Sequence, residues 1–155
     1  MKTFIQFFLL AISLTLVGCG KSKEPALYVL NPILAPAKQI AKPVGLRLGI
    51  NEINIPDYLS KPQMSIYYSQ HQSQMNDDHQ WAENLQANIT RIIRTNLSQL
   101  LPYAAVETSP WDIKFQPDTQ LQVNINDFKV NIQGDSSLQA DYIVYENEQI
   151  HKYSV

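Results

Sequence analysis

Apolar and polar positions change their period several times along the chain, and each change marks an element. Residues 4–17 are apolar apart from Gln6, Ser13 and Thr15. A small and charged stretch over 20–26 separates this run from Leu27-Tyr28-Val29-Leu30, a short strand candidate. Pro32, Pro36 and Pro43 restrict φ and remove backbone donors, so regular structure across 31–43 is not expected. Over 44–50 the even positions Val44, Leu46, Leu48 and Ile50 are apolar and the odd ones are not, the period of a half-buried strand. Residues 51–55 extend or follow it until Pro56 stops it. Residues 64–68 read as another strand, and the polar residues 69–78 as a loop or frayed hairpin.

The period then becomes helical. Trp81, Leu85, Ile89, Ile92, Ile93, Leu97, Leu100 and Leu101 recur at steps of one helix face, which predicts one long amphipathic helix over about 78–101. Asp77 or Asp78 is the expected cap, with capping-box spacing from Asp77 to Gln80, and Pro102 is the stop. Arg91 and Arg94 fall on the solvated side, so the other face packs on a sheet. Residues 103–108 form a strand candidate ahead of the turn residues Ser109-Pro110.

From Thr119 the apolar positions Leu121, Val123 and Ile125 alternate with polar ones, but Phe128, Val130 and Ile132 continue the apolar face from even positions. That phase change requires one extra residue near Asn126-Asp127, as a β-bulge supplies. Turns at Gly134-Asp135-Ser136 and Asn147-Glu148 then fold 119–132, 138–145 and 149–153 into a C-terminal β-meander. One helix covers only part of such a sheet. Either another face serves a partner or a C-terminal helix is missing from this chain.

Composition narrows the classes. The 155 residues are 45% hydrophobic and 17% charged, enough for one domain and too ordered in pattern for a disordered polymer. A formal net charge of −2 provides no field to draw nucleic acid, so no nucleic-acid partner is expected. The single cysteine, Cys19, excludes an internal disulfide and a cysteine metal cage.

Cys19 is explained by what precedes it. Lys2 and the apolar run form an export signal, and a run of about 14 residues falls short of the roughly 20 needed to cross a bilayer. Leu16-Val17-Gly18-Cys19 resembles the bacterial lipobox, in which the cysteine thiol is acylated and the peptide before it is removed. The chain therefore divides into a lipoprotein signal peptide at 1–18, a lipidated tether at 19–26 and a single periplasmic domain at 27–155. The resemblance implies three acyl chains on Cys19, enough for stable anchoring where one would be marginal. Gly20 stands where enterobacterial inner-membrane lipoproteins commonly carry Asp, which favours the outer membrane with the domain facing the periplasm.

Reactive chemistry is hard to find in the pattern. His71 and His79, eight apart beside Asp77 and Asp78, match no metal-ligand spacing and read as a solvated loop. No Gly-x-Ser-x-Gly elbow or Gly-rich phosphate loop occurs, and Glu146 and Glu148 fall in a turn. Asn88-Ile-Thr90 and Asn96-Leu-Ser98 are sequons inside the helix and read as incidental. No enzymatic activity, metal or cofactor is expected beyond the acyl chains on Cys19. The turn from Ile55 to Gln63 stands out instead, because Pro56 and Pro62 stiffen the backbone around Tyr58 and Leu59. An aromatic anchor beside an aliphatic one suits a partner contact, with stapling of the turn onto the domain's own core as the competing reading.

In their order these stretches resemble the PqiC/YmbA family of ABC-type transport auxiliary lipoproteins. The resemblance rests on the lipobox at Cys19, Leu27-Tyr28-x-Leu30, Ile55-Pro56-Asp57-Tyr58-Leu59 with Lys61-Pro62-Gln63, and Trp81-Ala82-Glu83-x-Leu85 followed by Arg91-Ile92-Ile93 and Asn96-Leu97. It covers residues 16–101, and beyond residue 110 only strand pattern matches. It implies a three-layer α/β domain with a mixed sheet and a further C-terminal helix that this chain lacks. It also implies a non-enzymatic role in envelope lipid transport, docking with an MCE-domain protein that bridges the periplasm. Tyr58 and Leu59 are then expected to touch that partner or a neighbouring copy of this protein. A structural assembly lipoprotein of a secretion or surface-polymer machine is the alternative from a different class.

Overall fold

The computed structural model describes residues 23–33, 45–146 and 149–155. The expected signal peptide, Cys19, most of the proline-rich stretch, Val44 and the turn at Asn147-Glu148 lie outside the described residues. In chain order the elements are β1 (Ala26–Tyr28), β2 (Arg47–Ile50), a 3₁₀ turn (Asp57–Ser60), β3 (Gln63–Ser69), β4 (Gln72–Trp81), α1 (Leu85–Leu100), β5 (Ala105–Thr108), β6 (Thr119–Asn131), β7 (Ser136–Glu146) and β8 (Gln149–Ser154).

The strands join in one mixed sheet built around β6. Along one edge β6 pairs antiparallel with β7, from Thr119 opposite Glu146 to Val130 opposite Ser136. The other edge is shared: β2 runs parallel to its start at Thr119–Leu121, and β3 runs parallel to its end at Val130 and Asn131. β5 extends the first branch, β4 and β1 extend the second, and β8 lies outside β7. The register of β6 against β7 shifts between Ile125 and Asp127, the bulge that the phase change demanded. It returns Phe128 to the face of Val123 and Ile125, where Phe128 packs on the core. At the β6–β7 turn Gly134 has φ +89°, a conformation that side chains with a Cβ rarely adopt.

α1 lies on that face. Leu85 and Ile89 pack with Ile53, Leu59, Val123 and Ile125, while Ile93, Leu97 and Leu101 rest on a second cluster of Leu48, Ile50 and Val106. Each such side chain contributes about 1.5–3 kcal/mol when fully buried. On the opposite face Gly49 is buried beneath the loop before β6, where a Cβ would stand 2.9 Å from Trp111 and 3.0 Å from Pro117. Of the layers that the resemblance implies, the described residues supply the sheet and the helix on one face. No helix among the described residues is long and apolar enough to cross a membrane.

The α/β class, mixed sheet, amphipathic helix and C-terminal meander are as expected, and the helix start is corrected. α1 begins at Leu85, not near residue 78, with Asn84 as its cap accepting from the Ala87 N–H at 3.0 Å. Asp77, Asp78 and Trp81 belong to β4, so residues 72–81 are neither loop nor helix but the second strand of a hairpin with β3. β4 is held on both sides, by β3 and by β1, and the Trp81 and Ala82 N–H groups donate to Pro62 O and Tyr28 O at 2.8 Å. Those pairings satisfy the backbone donors that a helix start would have left free. Trp81 is four residues before Leu85 and so imitates one more step of the helical stripe. β1 starts at Ala26, which pairs with His79.

Candidate functional site

Beyond the N-terminal end of α1 the described residues leave the apolar face of the sheet uncovered, and there it forms a cavity of about 560 Å³. Register explains its walls. Ile66 pairs with Val130, which sets Met64 and Ile66 of β3 beside Phe128 and Val130 of β6 on one face. Trp81, at the end of β4, stacks on Phe128 with ring centroids 5.7 Å apart. The parallel pairing of Tyr28 with Trp81 brings in β1 and the following Leu30. No Lys, Arg, Asp or Glu is among the described residues that line it.

Its rim is amphipathic. The Tyr28 phenol oxygen and His79 Nδ1 share a hydrogen bond of 2.8 Å, with Asn76 also on the lining. Tyr68 and Ile132 stand 51% and 59% exposed on the same rim, a large apolar area left in water. The β1 wall is fixed from below by Asn88, which is 1% exposed. Its Oδ1 accepts from the Leu30 N–H at 2.8 Å, and its Nδ2 donates to Glu83 Oε1 at 2.7 Å. The sequon reading missed this role. A buried polar residue between Leu85 and Ile89 on the apolar face of the helix was the available signal.

Tyr58 and Leu59, expected at a partner contact, make contacts inside the domain. Leu59 is 4% exposed within the core under α1. Tyr58 O–H donates to Asp127 Oδ1 at 2.6 Å, and the Phe128 N–H donates to the Tyr58 oxygen at 3.2 Å. Asp127 also pairs with Lys129 Nζ at 2.6 Å, and that ammonium lies 5.1 Å from the centre of the Tyr67 ring. Burial, then the Asp127 carboxylate, push the Tyr58 phenol above its usual pKa. Burial alone would raise the Asp127 carboxyl, but hydrogen bonds from Lys129 and Tyr58 outweigh it and hold the group below the usual range. The network keeps Asp127 ionised and Tyr58 protonated at neutral pH, and it pins the 3₁₀ turn to the bulge. The Tyr58 hydroxyl is engaged inside the domain because the Asp127 carboxylate and the Phe128 N–H at the bulge face the turn.

The remaining candidates are scattered. His71 sits at the tip of the β3–β4 hairpin, whereas His79 is at the cavity rim. Asp77 accepts from Gln63 Nε2 at 3.2 Å, and Glu146 ends β7. Among the described residues no group of three or more His, Cys, Asp and Glu side chains is placed to hold a metal ion.

Residues 28–153 match the family described as the ABC-type transport auxiliary lipoprotein component. The chain belongs to that family. The match starts at Tyr28 on the cavity rim and ends in β8, so it includes the meander where the resemblance had rested on strand pattern alone. Two solved structures share the fold of this auxiliary lipoprotein. One is the crystal structure of an uncharacterized protein, with a TM-score of 0.69 at 19% identity, covering 86% of this chain and 78% of that one. The other is protein XCC0632 from Xanthomonas campestris, described as a DUF330 protein, with a TM-score of 0.67 at 11% identity, covering 84% and 76%. No curated protein matches the auxiliary lipoprotein in sequence.

Proposed function

We propose that this auxiliary lipoprotein is anchored in the outer membrane through acyl chains on Cys19, faces the periplasm and serves an MCE-type ABC lipid-transport system without catalysing a reaction. Its partner in this reading is a periplasm-spanning MCE-domain protein. The observation that carries the reading is the family match over residues 28–153. An uncharged apolar cavity on the open sheet face supports it, because recognition of an apolar surface or ligand is the chemistry such walls offer.

Crosslinking of the full lipoprotein in the native envelope, with mass spectrometric identification of the attached proteins, tests the partnership. Recovery of an MCE-domain protein is the expected result. Recovery of components of a secretion or surface-polymer machine instead would favour the structural assembly reading and overturn this one. Anchoring is tested separately by radiolabelled palmitate: Cys19→Ser should lose the label, and a mutant that retains it refutes acylation at Cys19.

A further inference from the structure

We infer that the cavity bounded by β1, β3, β4 and β6 binds one acyl chain of a lipid in the leaflet that holds the Cys19 anchor. Its volume of about 560 Å³ lies within the roughly 300–1,000 Å³ of pockets that enclose small ligands. The walls are Leu30, Met64, Ile66, Trp81, Phe128 and Val130, and they offer no charged partner. An ion placed there would be desolvated and unpaired, so the interior selects an apolar chain. Polar groups gather at the rim, at the Tyr28–His79 hydrogen bond and Asn76, where the polar end of an amphiphile would remain.

The position of the cavity in the chain selects the lipid. Tyr28, on the rim, belongs to the first strand after the tether. Ala26 is seven Cα–Cα steps after Cys19, which limits the start of β1 to about 25 Å from the anchored cysteine. The exposed Tyr68 and Ile132 give the mouth an apolar and aromatic border, the composition favoured where water meets lipid. Leaflet lipids surround the anchor in excess of its own acyl chains, so mass action favours a leaflet lipid as occupant. The inference uses the acylation of Cys19 for its distance argument and does not depend on the MCE partner.

The test uses the full lipoprotein in vesicles of phosphatidylethanolamine and phosphatidylglycerol with a trace of phospholipid carrying a diazirine in its acyl chain. After irradiation, adducts mapped by mass spectrometry are expected on Met64, Ile66, Trp81 or Phe128. Their yield should fall about tenfold in Ile66→Trp, which fills the cavity. Ser136→Phe fills it from the exposed start of β7 and is compared only with a melting curve that shows the variant folded. Adducts confined to the tether or outer rim, or unchanged yield in folded Ser136→Phe, would overturn the inference. In a parallel arm, protein from cells fed a diazirine fatty acid is irradiated in vesicles without photolipid. Adducts from the Cys19 chains on the cavity walls would assign the site to the anchor and overturn the leaflet source. The vesicles contain no transport partner, so this result and the envelope crosslinking fail independently.

Discussion

Leu59→Ala is expected to destabilise the domain by about 3 kcal/mol. The truncation removes three carbons from contact with Ile53, Leu85, Ile89, Val123 and Ile125, at about 0.8 kcal/mol each, and leaves a void besides. The 3₁₀ turn cannot collapse far into that void, because Tyr58 is held by Asp127 and by the Phe128 N–H. The cost therefore belongs well inside the roughly 2–5 kcal/mol range of buried Leu→Ala changes. For a domain of this size it lowers the melting temperature by about 10 °C. Circular dichroism melts and urea titration of the full lipoprotein in detergent measure it. Tyr58→Phe should cost less, about 1–2 kcal/mol, since the ring stays and only its hydrogen bonds are lost. Combined with Asp127→Ala it should fall short of additivity by about 0.5–2 kcal/mol, the mark of a direct contact. A Leu59→Ala melting temperature within about 2 °C of the parent would show that Leu59 is not core and would return the turn to the docking role.

Asn88→Ala should cost about 2–3 kcal/mol, because the Leu30 N–H loses its acceptor under the cavity wall; a melt unchanged from the parent would refute that bond. Gly49→Ala should cost about 1–3 kcal/mol by driving a Cβ against Trp111 and Pro117, and a neutral urea midpoint would show that the covering loop yields freely. Acidification should expose the Asp127 network. Its folded pKa lies below the unfolded value of about 3.9, so its stabilisation is complete above that pH and is lost as pH falls through the folded value. Urea midpoints of the parent should thus decline below about pH 4 more steeply than those of Asp127→Asn, and parallel curves would remove Asp127 from the account.

What the sequence made legible depended on how much of each element's signal was local. β6 could be read because Leu121, Val123 and Ile125 alternate with polar residues, and the phase change after Asn126 located the bulge without any knowledge of β7. β4 could not be read. Its residues are mostly polar and exposed, and it is a strand because β3 and β1 supply backbone partners on both sides. Trp81 misled for a related reason: its spacing to Leu85 suits a helix, but its ring packs on Phe128 from the end of a strand. The Tyr58-Leu59 turn stood out in the sequence, while its direction could not be known. A proline-bounded apolar turn looks the same in sequence whether it faces a partner or its own core, and the internal bond it makes is to Asp127, 69 residues away.

By itself the sequence determined the strand pattern of β2 and β6, the position of a lone cysteine after an apolar run, and the amphipathic helix with its stop at Pro102. Only the tertiary structure decided that β2 and β3 share one edge of β6 and that α1 covers one branch of the resulting sheet. It alone gathered Leu30, Ile66, Trp81 and Val130 around one cavity. The physical reason is the range of the interactions. Side-chain periodicity follows from backbone geometry over a few residues and is written locally, whereas strand pairing joins segments whose separation in the chain carries no local signal.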